Sequence, residues 1–176
     1  MKKILVIIDG SNLYYKLKQT GAKNLLLFDY SAFIKWLAKT PKFQAFYYVG
    51  RIREEPNNPK SKDLKKSQDK LISGLENQGI QVKTGYILKS DSAYHEKGVD
   101  VQMAIDICMK AVRKEYDRLI LISSDTDLIP AIKEAKLLGK IIEYVGFDTQ
   151  PSFALIRFSD HQTLLKLEDL KRFIKS

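Results

Sequence analysis

The sequence contains little of what disulfide or zinc chemistry needs. Its 176 residues include a single cysteine, Cys108, and two histidines, His95 and His161. One cysteine excludes an internal disulfide framework and a cysteine-based zinc site. Two histidines leave little material for a histidine-rich metal site. The small disulfide-stabilised and zinc-finger classes are therefore excluded.

Long hydrophobic runs are also missing. The longest, residues 4–8 and 119–122, are far too short to span a bilayer. The first of them follows Lys2 and Lys3, and Asp9 ends it before the apolar core of a signal peptide is complete. We therefore expect a cytoplasmic protein that is neither secreted nor inserted into a membrane.

Nothing in the sequence divides the chain. It has no low-complexity tract, internal repeat or Gly/Ser-rich linker. At 20.2 kDa and 44% hydrophobic residues, it has the length and composition for one domain with a substantial core. We expect residues 1–176 to form a single domain.

The charge balance is basic. Thirty Lys and Arg residues against 21 Asp and Glu residues give a net charge of +9, which favours contact with polyanions such as nucleic acid. Many basic proteins bind no nucleic acid, so this excess alone does not decide the function. The positions of the acidic residues are more informative.

Short apolar and β-branched runs alternate with segments long enough to form helices. This alternation predicts a Rossmann-like, three-layer α/β fold, in which helices cover both faces of a mostly parallel sheet of five or six strands. The predicted strands are residues 4–8, 44–49, 80–87, 119–123 and 141–145.

Helical periodicity predicts helices over residues 29–39, 62–77, 99–112 and 128–138, and shorter helical pieces after Pro151. In two of these helices the spacing of apolar residues predicts which side chains face the core. The predicted inward residues are Leu64, Leu71, Ile72 and Leu75 in the helix 62–77, and Val101, Ala104, Ile105, Cys108 and Val112 in the helix 99–112.

Four aspartates fall at equivalent places in this scheme. Asp9 directly follows the first strand, Asp125 and Asp127 follow the fourth, and Asp100 opens the helix after the third. The carboxyl ends of parallel strands share one edge of the sheet, where ligands bind. Each aspartate alone is equally typical of a helix cap or turn. Together they repel one another unless a cation joins them, and oxygen ligands favour Mg²⁺ or Mn²⁺ over zinc.

A basic surface around an acidic metal pocket suits a phosphodiester substrate. Setting these four aspartates aside leaves 17 acidic residues against 30 basic ones. Between residues 51 and 70, seven basic residues accompany four acidic ones, so an ordinary solvated face remains the alternative there. The candidate phosphate contacts in this segment are Arg51, Arg53, Lys60, Lys62, Lys65 and Lys66.

Three motifs occur in a fixed order along the chain. They are Asp9-Gly10-Ser11-Asn12, then Lys97-Gly98-Val99-Asp100 with Asp106 later in the same helix, then Ser123-Ser124-Asp125-Thr126-Asp127-Leu128-Ile129-Pro130. Each motif alone is weak. The ordered set resembles the NYN domain of the PIN-like nuclease superfamily, most closely its bacterial LabA-like branch, and the resemblance spans about residues 3–160.

This resemblance implies a metal-dependent ribonuclease. It implies that Asp9, Asp100 and Asp125 hold Mg²⁺ or Mn²⁺, with Asp127 beside them, and that activated water attacks an RNA phosphodiester in line, leaving a 5′-phosphate and a 3′-hydroxyl. We expect Asp106 to be structural, because it lies about 240° around the helix from Asp100. Other positions follow as candidates: Asn12 to position Asp9 or a scissile phosphate, Ser11, Ser124, Arg51 and Lys97 as further substrate contacts, and Asp160 as a supporting residue near the metal.

Two alternatives stay open. One is a non-catalytic RNA-binding or regulatory module on the same fold, since fold does not determine chemistry. The other is a different Rossmann-like enzyme that uses Asp-x-Asp, although the chain has neither a Gly-x-Gly-x-x-Gly turn nor a Walker phosphate loop. Tyr14 or Tyr15 is a candidate for stacking on a base. A homodimer is one candidate assembly.

Overall fold

The computed structural model describes residues 2–21, 25–54, 58–90 and 93–174. Within these ranges seven strands and seven α-helices form three layers. The strands are β1 (Ile4–Asp9), β2 (Gln44–Gly50), β3 (Gln81–Ser90), β4 (Ala93–Lys97), β5 (Arg118–Ile122), β6 (Ile141–Phe147) and β7 (His161–Leu165). The helices are α1 (Gly10–Gln19), α2 (Tyr30–Ala38), α3 (Pro59–Asn77), α4 (Val99–Val112), α5 (Ile129–Leu137), α6 (Phe153–Phe158) and α7 (Leu167–Lys171).

The strands form one sheet in the order β4-β3-β2-β1-β5-β6-β7. Six of them run parallel, and β4 adds an antiparallel edge next to β3. The α/β class and the mostly parallel sheet are confirmed, and all five predicted strands are present. The two strands that the sequence did not predict, β4 and β7, are the edge strands. Their sequences are polar because an edge strand is less covered than a central one.

Two apolar cores lie on opposite faces of the sheet. Helices α1, α2, α3 and α7 pack on the face that carries Val6 and Ile8 of β1. Helices α4, α5 and α6 pack on the face that carries Leu5 and Ile7. Because both faces of β1 are covered, every residue of the strand is buried, which explains its continuous apolar run. No helix among the described residues is long and apolar enough to cross a membrane.

The face of α4 that packs on the sheet differs from the prediction. Three residues expected to be inward, Val101, Ile105 and Val112, are 64%, 48% and 58% exposed. The helix is apolar around more than half of its circumference, so periodicity offers two stripes and does not choose between them. The stripe that packs on the sheet is Val99, Met103, Ile107 and Ala111.

The strand order reverses between β1 and β5. From β1 the chain proceeds to β2 and β3 on one side, and from β5 it proceeds to β6 and β7 on the other. The connecting helices after β1 and β5 therefore diverge, which opens a crevice at the carboxyl ends of these two strands. Asp9 ends β1, and the segment Ser123–Asp127 follows β5.

Candidate active site

Asp9 is fixed in orientation by three hydrogen bonds. Its side chain is buried, and it caps α1. The Asn12 backbone N–H donates to Oδ1 at 3.0 Å, and Asn12 Nδ2 donates to Oδ2 at 2.7 Å. Ser123 Oγ also donates to Oδ2, at 3.0 Å. Asn12 therefore positions Asp9, which is one of the two roles that the sequence analysis assigned to it.

Ser123 connects the two strand ends. Ile8 of β1 pairs with Ile122 of β5, so the residues that follow them lie side by side. Ser123 Oγ, while donating to Asp9, accepts the Asp125 backbone N–H at 3.1 Å. No role was predicted for Ser123 from the sequence. Its position directly after a buried strand, in register with Asp9, is the signal that identifies it.

Asp125 and Asp127 lie on a short 3₁₀ turn, Thr126–Leu128. Asp125 caps this turn, since its Oδ1 accepts the Asp127 backbone N–H at 2.9 Å. Asp125 is half-buried and Asp127 is exposed. Among the described residues, no group donates to Asp125 Oδ2 or to the Asp127 carboxylate. These oxygens are available to a ligand.

Asp100 lies in the first turn of α4, after Gly98 in the left-handed conformation with φ +80°. Gly85 at the end of the β2–β3 pairing lets the start of α4 approach the sheet, because a Cβ there would lie 2.7 Å from the Lys97 carbonyl oxygen. Helix α4 also packs against the 3₁₀ turn of Asp127. Asp100 and Lys97 therefore lie on the same edge of the sheet as Asp9, and both are exposed.

The start of α1 lies directly on β2. A Cβ on Gly10 would overlap the ring of Tyr47 and lie 2.6 Å from the Tyr48 carbonyl oxygen, so only glycine fits. Tyr47 donates its hydroxyl to the Gly10 carbonyl oxygen at 3.2 Å. Burial raises the pKa of Tyr47 well above its usual value, so this hydroxyl keeps its proton. Helix α1 was not predicted from the sequence.

Asp106 anchors α4 to the sheet. Its Oδ2 accepts the Tyr48 hydroxyl at 2.6 Å, and its Oδ1 accepts from Gln102 Nε2 at 3.2 Å. Tyr48 is the register partner of Asp9 on β2. Burial, and then the bond to Asp106, raise the pKa of Tyr48, which remains a donor. The partners of Asp106 agree with the structural role expected for it.

The remaining candidates differ in their surroundings. Ser11 and Ser124 are half-buried beside the site. Arg51 is already ion-paired with Asp69 of α3 at 2.7 Å. The interpretation of Asp160 as a supporting residue near the metal is wrong. Its Oδ2 accepts the Ile142 N–H at 2.8 Å at the start of β6, which is the opposite edge of the sheet.

The donor chemistry of this edge fits a hard divalent cation. Asp9, Asp125 and Asp127 present carboxylate oxygens there, and two of these residues have oxygens that accept no hydrogen bond from the described residues. Among all the residues that the structure describes, no three His, Cys, Asp or Glu side chains lie close enough together to hold one metal ion. A metal site at the four aspartates therefore stays a prediction.

Comparison with known proteins gives three findings. The NYN domain family profile matches residues 3–166. An uncharacterized protein from Methanocaldococcus jannaschii is 33% identical over 95 residues, which are 54% of this chain and only 35% of that protein. A crystal structure of a protein of unknown function from Vibrio parahaemolyticus has a TM-score of 0.66 and 24% identity, and covers 93% of both chains. That structure supports the fold alone.

Proposed function

The chain belongs to the NYN domain family, and from this premise we propose that it is a metal-dependent ribonuclease that hydrolyses RNA phosphodiester bonds with Mg²⁺ or Mn²⁺. The NYN domain is a PIN-like nuclease family, which supports a nuclease role and an RNA substrate. One observation carries the proposal further. Ser123 bonds both Asp9 and the Asp125 backbone at the point where the strand order reverses.

The residues that would hold the metal are Asp9, Asp125 and Asp127, joined by Asp100 from α4. When bound, a divalent cation activates water and offsets the negative charge that develops on the phosphate. The chain supplies positioning. Asn12 and Ser123 hold the Asp9 carboxylate in one orientation, so its geometry need not be organised when substrate binds.

Substrate contacts come from polar and basic groups beside these carboxylates. We assign Ser11, Asn12, Ser124 and Lys97 to the RNA backbone near the scissile phosphate, because all four lie at the carboxyl edge of the sheet. Arg51 joins them if the phosphate competes with Asp69. That ion pair is exposed, and such pairs contribute only about 0–1 kcal/mol.

Three finer statements rest on the sequence alone. The order of the three motifs supports the LabA-like branch of the family. A cytoplasmic location stays a proposal. A homodimer remains a candidate assembly, and sedimentation of the purified chain tests it.

The test uses matched carboxylate variants. Wild type, Asp125→Asn and Glu134→Gln are incubated with a mixed pool of structured and unstructured RNA in Mg²⁺, Mn²⁺ or EDTA. Glu134→Gln removes an equal charge from an exposed position on α5. We expect 5′-phosphate ends from wild type and Glu134→Gln in metal, and no cleavage by Asp125→Asn or in EDTA.

Metal binding is measured separately from cleavage. We expect Mn²⁺ to raise the melting temperature of wild type and Glu134→Gln more than that of Asp125→Asn, because ligand that binds only the native state stabilises it. Cleavage that persists in EDTA contradicts the metal-dependent mechanism. RNA binding without cleavage, and without a metal shift, instead favours the non-catalytic module.

A further inference from the structure

A groove of about 530 Å³ lies between α1 and α3, beside the candidate active site. It starts at Gly10 and Ser11, the two residues that directly follow Asp9. Farther along, the rings of Tyr14 and Tyr15 on α1 line it, and Leu64 of α3 lies opposite. The groove is therefore continuous with the edge of the sheet that carries the aspartates.

Apolar side chains are unusually exposed around this groove. Tyr14, Tyr15, Leu26 and Leu64 are 41%, 65%, 43% and 49% exposed. Helical periodicity predicted Leu64 in the core, but this residue lies on the rim of the groove. A contiguous exposed apolar surface costs free energy in water, and in folded proteins it commonly marks a binding site.

The charge around the groove suits an anionic ligand. Lys18 lies on its α1 side, with Nζ 5.4 Å from the centre of the Tyr14 ring. Among the described residues that line the groove, none is acidic.

We propose that this groove binds the unpaired bases of single-stranded RNA, with bases stacked on Tyr14 and Tyr15 and phosphates held by Lys18. The inference rests on the proposed function, because that function makes RNA the ligand. Flat rings stack on bases, whereas the bases of a duplex have both faces covered by their neighbours.

The two rings have different parts in this arrangement. They meet edge to face, with centres 6.0 Å apart and planes at 74°. The Lys18 ammonium group lies over the Tyr14 ring, so the phosphate of a nucleotide whose base stacks on that ring comes close to this positive charge. Tyr15 is the more exposed ring. It offers the larger free surface, and its substitution tests base stacking most directly.

The test measures RNA binding in EDTA, so that cleavage does not contribute. Fluorescence anisotropy is recorded with a labelled single-stranded RNA of about ten nucleotides, a length within the usual site size, and with an abasic strand of the same length. The variants are Tyr15→Ala, Tyr15→Phe and Phe153→Ala. Phe153 is a matched control because it is an aromatic residue of α6, 78% exposed, on the opposite face of the sheet.

We expect Tyr15→Ala to weaken binding of the base-bearing RNA by roughly 5- to 100-fold, the range for loss of one stacked base. Its affinity for the abasic strand should match that of wild type. Tyr15→Phe and Phe153→Ala should leave both affinities unchanged, because stacking needs the ring and not the hydroxyl. The circular dichroism spectrum of each variant verifies that it is folded.

Two results overturn the proposal. One is a Tyr15→Ala variant that binds base-bearing RNA as tightly as wild type. The other is wild type that binds base-bearing and abasic strands equally. Neither bears on hydrolysis, because the assay contains no metal. Conversely, base-dependent binding through Tyr15 by a protein that cleaves no RNA would refute the ribonuclease and leave the groove assignment standing.

Discussion

Replacing Ser123 by alanine tests the connection between the two strand ends. Ser123 is 2% exposed, and its hydroxyl donates to Asp9 Oδ2 and accepts the Asp125 backbone N–H. The variant removes one donor from a carboxylate. It also leaves a backbone N–H without its acceptor. Asp9 keeps both hydrogen bonds from Asn12, so its carboxylate keeps its orientation but is held less firmly.

The magnitude follows from the two bonds. A hydrogen bond to a charged acceptor contributes about 1.5–3 kcal/mol to stability, and a neutral one about 0.5–1.5 kcal/mol. Because Asn12 continues to support Asp9, we expect the lower part of the combined range, about 2–3 kcal/mol. For a chain of this size, each kcal/mol lowers the melting temperature by about 2–4 °C. The expected decrease is therefore about 4–12 °C.

The assay is thermal denaturation at neutral pH, with Ser159→Ala as the control. Ser159 Oγ is buried and has no hydrogen-bond partner among the described residues. Its removal loses no bond, so the melting temperature should stay the same or rise. If Ser123→Ala melts within about 2 °C of wild type, or if both variants lose equally, the bridging role of Ser123 is refuted.

Three further substitutions test other parts of the fold. Gly10→Ala places a Cβ 2.6 Å from the Tyr48 carbonyl oxygen and should destabilise the chain by about 1–3 kcal/mol. Gly74→Ala, in open space within α3, should instead stabilise it by about 0.4–1 kcal/mol. Equal effects of the two substitutions in urea denaturation would contradict this difference. Burial of Asp160 acts to raise its pKa, but hydrogen bonds from Lys136 and from a backbone N–H outweigh burial, so the pKa is lowered. The ionised carboxylate therefore stabilises the folded chain at neutral pH, and this contribution is lost as the pH falls below about 3.8. Asp160→Asn should therefore melt lower than wild type at pH 7 and should approach it in acid, and a difference independent of pH would contradict the ion pair.

The central strands were predictable because of how they are covered. A parallel strand buried on both faces needs apolar residues at every position, and β1 shows this in sequence. Edge strands have no such requirement, so β4 and β7 resemble polar loops. Helix α1 was missed for a similar reason. It buries only two large apolar residues, Leu13 and Leu17, too few to establish a period.

Periodicity also fails where a helix is apolar on two sides. In α4, the stripe with Val101 and Ile105 has the same spacing as the stripe with Met103 and Ile107, and only the second packs on the sheet. The choice depends on how the helix approaches β2 and β3, which is a property of the assembled layers. Sequence spacing therefore predicted this helix correctly and its buried face only in part, since Ala104 and Cys108 of the predicted set do pack against the core.

The candidate site shows the same division between local and long-range information. The aspartates were identified because each follows a strand, which is a local property. Ser123 was missed because its importance depends on Asp9, 114 residues earlier in the chain. A serine after a strand is common. It becomes a bridge only because the strand order reverses between β1 and β5 and brings these two ends together. The residues most easily missed at such a site are therefore those that join two motifs, since neither motif alone makes them conspicuous.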